Sequence, residues 1–132
     1  MRPTDTMGDL LSRIKNASKA GKEFVLIPAS KVKADVAKVL YEEKFIQNYE
    51  VLKDNKQGTL KVFLKYGPAK ERVIKELRRV SRPGRRVYLK SKDMRPLRGG
   101  LGVTIVSTPK GVLTTEEAKK KNVGGEVLCE GW

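Results

Sequence analysis

The sequence predicts an α+β chain in two parts, residues 1–66 and 67–132. Three observations predict it. Two amphipathic helical periods flank a short apolar run in the first part, and two further strand-like runs follow them. Gly67-Pro68 then breaks the pattern. Beyond the break, short β-type runs alternate with Gly- and Pro-rich turns, and only one short helix start is signalled.

The elements follow in order. Met7, Leu10, Leu11, Ile14 and Ala17 recur at i, i+3, i+4, i+7 and i+10, one face of a helix. Thr4 or Asp5 suits its start, and Lys19 and Gly21 suit its end. Phe24-Val25-Leu26-Ile27, stopped by Pro28, reads as a buried strand. Ser30 caps a second helix with Val32, Val36, Val39 and Leu40 on its inner face, fading by Glu43. Phe45 to Leu52 and Thr59 to Tyr66 read as strands joined by the loop Asp54-Asn55-Lys56-Gln57-Gly58. The second of them alternates, with Leu60, Val62, Leu64 and Tyr66 on one side and Lys61, Phe63 and Lys65 on the other. The first part is therefore α-β-α-β-β.

In the second part Val73, Ile74, Leu77 and Val80 fit a helical period about as well as a strand. Ser81-Arg82-Pro83-Gly84 is a turn, since Pro presets φ and Gly admits the left-handed region. Val87-Tyr88-Leu89 and Val103 to Val106 read as strands, with a glycine-rich connection from Pro96 to Gly102. Ser107-Thr108-Pro109-Lys110-Gly111 is a tight loop. Thr114 and Glu117 form a capping box for a short helix ending near a left-handed Asn122. Gly124-Gly125 leads into a last strand, Glu126 to Cys129.

Charge narrows the function. The 132 residues carry 29 Lys+Arg against 15 Asp+Glu, a net +14. Self-repulsion of that size points to a polyanionic partner, with nucleic acid first and an anionic membrane second. The stretch from Arg78 to Arg98, which includes Lys90, is the densest in cations and holds one acid, Asp93. Val80, Val87, Tyr88 and Leu89 interrupt it, so it reads as an ordered surface and not a basic tail. No apolar run approaches the ~18 residues that span a bilayer. Met1-Arg2-Pro3-Thr4-Asp5 lacks an apolar leader, and the single Cys129 excludes an internal disulfide. A cytoplasmic protein without a membrane partner is expected.

Enzyme chemistry finds little purchase. With no histidine, Ser-His-Asp and Cys-His sites cannot be built. Cys129 alone makes no zinc site, and no phosphate loop occurs. Gly99-Gly100-Leu101-Gly102 precedes a strand where a dinucleotide fingerprint would follow one. No cofactor is expected.

Binding chemistry has more to stand on. Two hydroxyls, a cation and a glycine within residues 107–111 suit sugar, base-edge and phosphate contacts on RNA. An ordinary Pro-Gly loop explains the same spacing equally well. Tyr88 among arginines can stack on a base, although a half-buried strand tyrosine is the commoner case. Arg82, Arg85 and Arg86 flank the Pro83-Gly84 turn and can fork onto phosphates. Lys31 and Lys33 oppose the helix dipole from the first turn, which hints at a ligand. Lys56, at the hairpin tip, says little alone. A protein-binding module whose basic face meets acidic partners is the competing reading.

Three stretches then carry a likeness. They are Arg79-Val80-Ser81-Arg82-Pro83-Gly84-Arg85-Arg86-Val87-Tyr88, Gly100 through Thr114, and Gly124-Gly125-Glu126-Val127-Leu128-Cys129. With Asp9 to Ala17, they closely resemble bacterial small-subunit ribosomal protein number eight over almost the whole chain. The resemblance implies two closely packed parts, the second mainly antiparallel β with one short helix, and makes Val73 to Val80 a strand. It implies a monomer within the ribosome, bound directly to an irregular helix in the central domain of small-subunit ribosomal RNA and beside neighbouring ribosomal proteins. It places Ser107, Thr108 and Lys110 in the RNA minor groove and Gly124, Gly125 and Glu126 against an unpaired core. It has Tyr88 support the loop or touch RNA, and Ser30 and Lys31 meet the backbone. Glu126 would accept from base amino or ribose hydroxyl groups, or orient a neighbouring cation. Two departures stand out. Pro109 replaces the family's usual Ser, removing a hydroxyl and an N–H, and Gly131 replaces an apolar residue, which predicts a last strand one residue short.

Overall fold

The computed structural model describes residues 6–53 and 56–132. They form an α+β fold of two compact units, which divide between Glu76 and Leu77. Gly67 and Pro68 lie inside the first unit.

In the first unit, helix α1 (Thr6–Lys19) precedes strand β1 (Phe24–Pro28) and helix α2 (Lys31–Glu42). Strands β2 (Ile46–Leu52) and β3 (Thr59–Leu64) complete an antiparallel sheet of order β1-β3-β2. All five apolar positions named for α1 are buried, as are Val36, Ala37, Val39 and Leu40 of α2. They cover the sheet face that carries Ile27, Leu60, Val62 and Leu64. The proposed caps Thr4 and Asp5 lie outside the described residues, as do Asp54 and Asn55 of the hairpin loop.

Both helices end in the same way. Gly21 (φ 70) and Lys44 (φ 68) are left-handed. Lys22 N–H then donates to Ala17 O and Phe45 N–H to Leu40 O, at 3.0 and 2.8 Å. These bonds satisfy carbonyls that the helix ends would leave bare.

The strand β1 is not buried. It pairs only with β3, and the helices cover one face of the sheet, so Phe24 and Leu26 remain 38% and 48% exposed while Ile27 is fully buried. Lys61 Nζ rides over the Phe24 and Phe63 rings on that open face, at 4.3 and 4.9 Å. A run with no polar residue signals burial on both faces, and an edge strand with one open face breaks that rule.

In the second unit, β4 (Leu77–Arg79) and β5 (Tyr88–Leu89) pair in succession with one edge of β8 (Gly125–Gly131). Strand β6 (Val103–Thr108) pairs with the other edge, and β7 (Gly111–Thr114) pairs with β6. All pairings are antiparallel. Helix α3 (Thr115–Lys120) closes the core of Met94, Val106, Ala118 and Val127. The Thr114–Glu117 capping box is present with both reciprocal bonds, and Asn122 is left-handed (φ 56).

Three boundaries differ from expectation. Regular strand covers only Leu77–Arg79 of the stretch from Val73 to Val80, because Ile74 turns into the core and Lys75 Nζ caps Arg72 O at 2.7 Å. Ser107 and Thr108 belong to β6, and β7 had no apolar alternation to announce it. The last strand does not end early. Gly131 pairs with both Leu77 and Val103, a place set by backbone hydrogen bonds and not by a side chain.

Burial, reinforced by Glu130, pushes the Cys129 thiol up to about 12 from an ordinary value of 9.0. Its folded value is raised, so its stabilising contribution is complete below about pH 9 and is lost as pH climbs toward 12. Thiol reagents should leave native protein unlabelled and label it only in denaturant. Urea unfolding from pH 8 to 11 should fall more steeply in wild type than in Cys129→Ala, by up to about 1.4 kcal/mol per pH unit.

Candidate RNA interface

Strand β8 organises the expected contact residues of the second unit. Glu126 lies opposite Tyr88 on one neighbouring strand and Ser107 on the other, and Ser107 in turn lies opposite Val112. Directly opposed residues share a sheet face. Tyr88, Glu126 and Ser107 therefore form one row on the face opposite Val106 and Val127. Tyr88 is 66% exposed, more open than the half-buried tyrosine expected of a strand.

The β6–β7 turn is built from its own side chains. Thr108 Oγ1 accepts from Lys110 N–H at 3.1 Å and donates to Gly111 O at 2.8 Å. Pro109 presets one turn residue, and Gly111 adopts φ 110, which a β-carbon would oppose. The Thr108 hydroxyl is thereby committed to the turn. Ser107 Oγ and Lys110 Nζ have no protein partner among the described residues. The missing N–H at Pro109 costs no bond in the turn and stiffens it instead.

Gly124 and Gly125 are required by crowding. A β-carbon on Gly125 would collide with the Ser107 carbonyl, and one on Gly124 would sit 2.6 Å from Leu89 O and 3.1 Å from Lys90 Cα. Their absent side chains let the backbone of β8 nestle between Ser107 and Lys90. Lys90 is exposed at the end of β5.

A second turn supplies cations. Arg82 and Arg85 exchange both backbone hydrogen bonds around Pro83-Gly84, at 3.0 and 2.9 Å. Buried Ser81 pins it: Val87 N–H donates to Ser81 Oγ at 2.9 Å, and Ser81 Oγ donates to Val87 O at 3.2 Å. Sequence reasoning passed over Ser81, because a serine before a turn is too common to signal a buried clasp. Arg86 Nη1 reaches Glu126 Oε2 at 3.0 Å, so the one acid of the row is bound to a cation. Arg79 is held below its ordinary value by burial, then by Arg82 and Arg86, a sign of how densely positive charge is gathered here. Arg85 is exposed and has no ion pair among the described residues.

Ser30, Lys31 and Lys56 belong to the first unit. Ala29 N–H donates to Gly58 O at 3.0 Å, which brings the hairpin loop to the start of α2. Ser30 Oγ accepts from Lys33 N–H at 3.3 Å as the helix cap. Lys31 is exposed and pairs with Asp35 at 2.9 Å, a local bond that offsets its opposition to the dipole. The hint from Lys33 does not survive. Its side chain is buried, with Nζ donating to Pro28 O at 2.9 Å and 3.7 Å from Asp9. This lysine holds the fold and does not display charge.

No group of three or more His, Cys, Asp or Glu capable of holding a metal occurs among the described residues, and no helix is long and apolar enough to cross a membrane. A β-rich unit with clustered arginines beside a stiff hydroxyl- and glycine-bearing edge has the charge footprint of a nucleic-acid-binding protein. The comparisons agree: the family model described as Ribosomal protein S8 matches residues 5–132. The small ribosomal subunit protein uS8 of Caldicellulosiruptor bescii is 51% identical over 128 residues, covering 97% of both chains. Those of Shouchella clausii and Moorella thermoacetica are each 51% identical over 129 residues, covering 98% of this chain and 98% and 99% of theirs. The chain belongs to the ribosomal protein S8 family, an RNA-binding family of the translation apparatus.

Two substitutions test the crowding and the turn. Gly125→Ala should part β8 from β6 and destabilise the unit by several kcal/mol, on the order of 3, in chemical denaturation. Thr108→Ser should keep the turn, whereas Thr108→Ala should broaden the backbone NMR signals of residues 107–111 while the core resonances stay in place.

Proposed function

We propose that this protein is a structural constituent of the small ribosomal subunit in the cytoplasm and a direct binder of ribosomal RNA. Its target would be an irregular helix in the central domain of the small-subunit RNA, where it acts as a monomer and orders that domain during assembly. The row Tyr88–Glu126–Ser107, continued by the stiff turn at Thr108–Gly111, carries the reading. It offers an exposed ring, a free hydroxyl and a cation on one edge. An A-form minor groove exposes 2′-hydroxyls and base edges that these groups complement.

The acid in this row fits the same scheme. Bound to Arg86, Glu126 does not face phosphates as a bare anion. Its second oxygen is left to accept from a 2′-hydroxyl or a base amino group. Gly124 and Gly125, whose missing side chains draw Ser107 and Lys90 close, would bring this edge against an unpaired core of the helix, and Arg85, Arg86 and Lys90 would supply phosphate contacts. Pro109 contributes stiffness to the turn. Ser30, Lys31 and Lys56, gathered at one end of the first unit, would meet RNA backbone separately. The domain from residue 67 onward holds the specific contacts in this reading.

Neighbouring ribosomal proteins would dock on the open face of the first sheet, where Phe24, Leu26 and Leu52 stay exposed. This is an addition to RNA binding and uses different residues.

Titration with an irregular central-domain stem and with a regular duplex of equal length tests the reading. Roughly five phosphate contacts would give a log–log salt slope of about −4 to −5 on both, with the irregular stem bound more tightly. Equal affinity at matched salt would remove the specific part of the proposal. Lys110→Ala should weaken both RNAs by about 1 kcal/mol and reduce the slope by about one. Ser107→Ala should instead narrow the gap between the two RNAs, by about 1–3 kcal/mol if the lost bond is buried in the complex.

A further inference from the structure

The far end of β8 carries a basic and aromatic cluster that the proposed interface leaves unused. Trp132 follows the strand, and two guanidiniums lie over its indole, Arg98 Cζ at 3.9 Å and Arg78 Cζ at 5.0 Å from the ring centroid. The two arginines are held differently. Arg78 sends Nε and Nη2 to Oε1 of Glu130, its partner across the strands, at 3.1 and 2.7 Å. Arg98 is exposed, and its guanidinium makes no hydrogen bond or ion pair with any described residue. Its stack on the indole is what holds the guanidinium.

The backbone is shaped to deliver that stack. Arg98 sits at φ 51 and ψ 43, a left-handed conformation disfavoured for a side chain with a β-carbon. Gly99 and Gly100 continue it at φ 66 and φ 97. Leu101 N–H to Arg98 O and Gly102 N–H to Leu97 O, both 3.2 Å, close the turn. Gly102 is packed between Leu97 and the Gly131 carbonyl, so the turn is fastened to the sheet.

A guanidinium whose face is stacked and whose edge is bare has already lost much of its rotamer freedom. It presents a planar fork of N–H donors that matches phosphate oxygens. Lys90, Lys92 and Arg95 precede it with only Asp93 to offset them. The fork belongs to the same unit as the row at Glu126. Trp132 lies six residue steps beyond Glu126, about 20 Å at roughly 3.3 Å per residue. A ligand that meets both ends must be long and anionic along its length.

We propose that Arg98, backed by Trp132, is a second RNA-phosphate site that engages RNA continuing beyond the irregular helix. The inference rests on the RNA-binding function proposed above and adds a contact point to it. Leu101, 83% exposed beside the fork, is the feature that an acidic protein partner would use instead.

Trp132 is the only tryptophan of the chain and so reports on the site directly. The full chain is titrated with the irregular stem alone and with a longer central-domain RNA that keeps the helices flanking that stem. The longer RNA is expected to change Trp132 emission, and the stem alone to leave it unchanged. Arg98→Ala should bind the longer RNA about 5- to 10-fold more weakly, with a salt slope reduced by about one, and bind the stem as wild type does. Arg98→Lys should recover the slope but only part of the affinity, and it serves as the test if the alanine variant fails to fold. Wild-type affinity of Arg98→Ala for both RNAs overturns the proposal, as does an equal loss on both. Emission that responds only to added ribosomal proteins also overturns it and gives the cluster to a protein partner. Failure of wild type to bind the stem, with the longer RNA still shifting Trp132, sinks the function assigned to the Tyr88–Glu126–Ser107 row and leaves this site standing.

Discussion

Strand β8 has neighbours on both edges, and the two edges are unequal. Along one it pairs with β6 for most of its length. Along the other it pairs first with β5 and then with β4. Both edges close in most tightly at Gly124 and Gly125, where no β-carbon fits. This close approach sets how near Tyr88, Glu126 and Ser107 come to one another. A side chain there would push β5 or β6 outward, and the row would lose its spacing before any contact residue had changed. The two glycines matter to the candidate interface first as missing volume.

Charge acts on the same frame from the other direction. Nine cations between residues 78 and 98 repel one another, and such repulsion favours an expanded chain. The fold holds several of them through bonds to its own backbone and acids. Arg79 Nε donates to Ser81 O at 3.0 Å, Arg78 pairs with Glu130, and Arg86 pairs with Glu126. Arg85 and Arg98 are left unpaired among the described residues. The exposed ion pairs are individually worth little stability in water. Their larger effect is to fix where each guanidinium stands when a polyanion arrives.

Much of this was legible in the sequence because the signals were local. The apolar period of α1, the capping box at Thr114 and Glu117, and the alternation through β3 each arise within one element, and each stands in the structure. What could not be read depends on partners distant in the chain. The run at Phe24–Ile27 looks buried, but its exposure is decided by which strand lies beside it and which face the helices cover. Strand β7 has no alternation of its own and exists because β6 offers an edge. Lys33 looked like a displayed cation, whereas its ammonium is spent on Pro28 O, five residues back and across a turn. The candidate site divides in the same way. The residue types at 107–111 point to polar contacts from spacing alone. The commitment of the Thr108 hydroxyl, the clasp of Ser81 and the pairing of Glu126 with Arg86 require coordinates.

The replacement at Pro109 brings these strands together. Judged by hydrogen-bonding capacity, the proline expected to stand in place of a serine lacks that residue's hydroxyl and N–H, so any contact from position 109 is lost or must be replaced. Judged by the turn, it removes nothing, since Thr108 bonds to Lys110 N–H and to Gly111 O and leaves position 109 without a backbone partner to lose. Fixing φ there reduces the conformations the free turn explores, and less ordering remains for the complex to impose. A lost contact and a stiffer turn oppose each other in affinity but differ in rate. Lost contacts speed dissociation, whereas a turn already in its bound shape speeds productive encounter. For the assembly role proposed above the second effect is a gain, so proline at 109 is compatible with that role even where it costs a hydrogen bond.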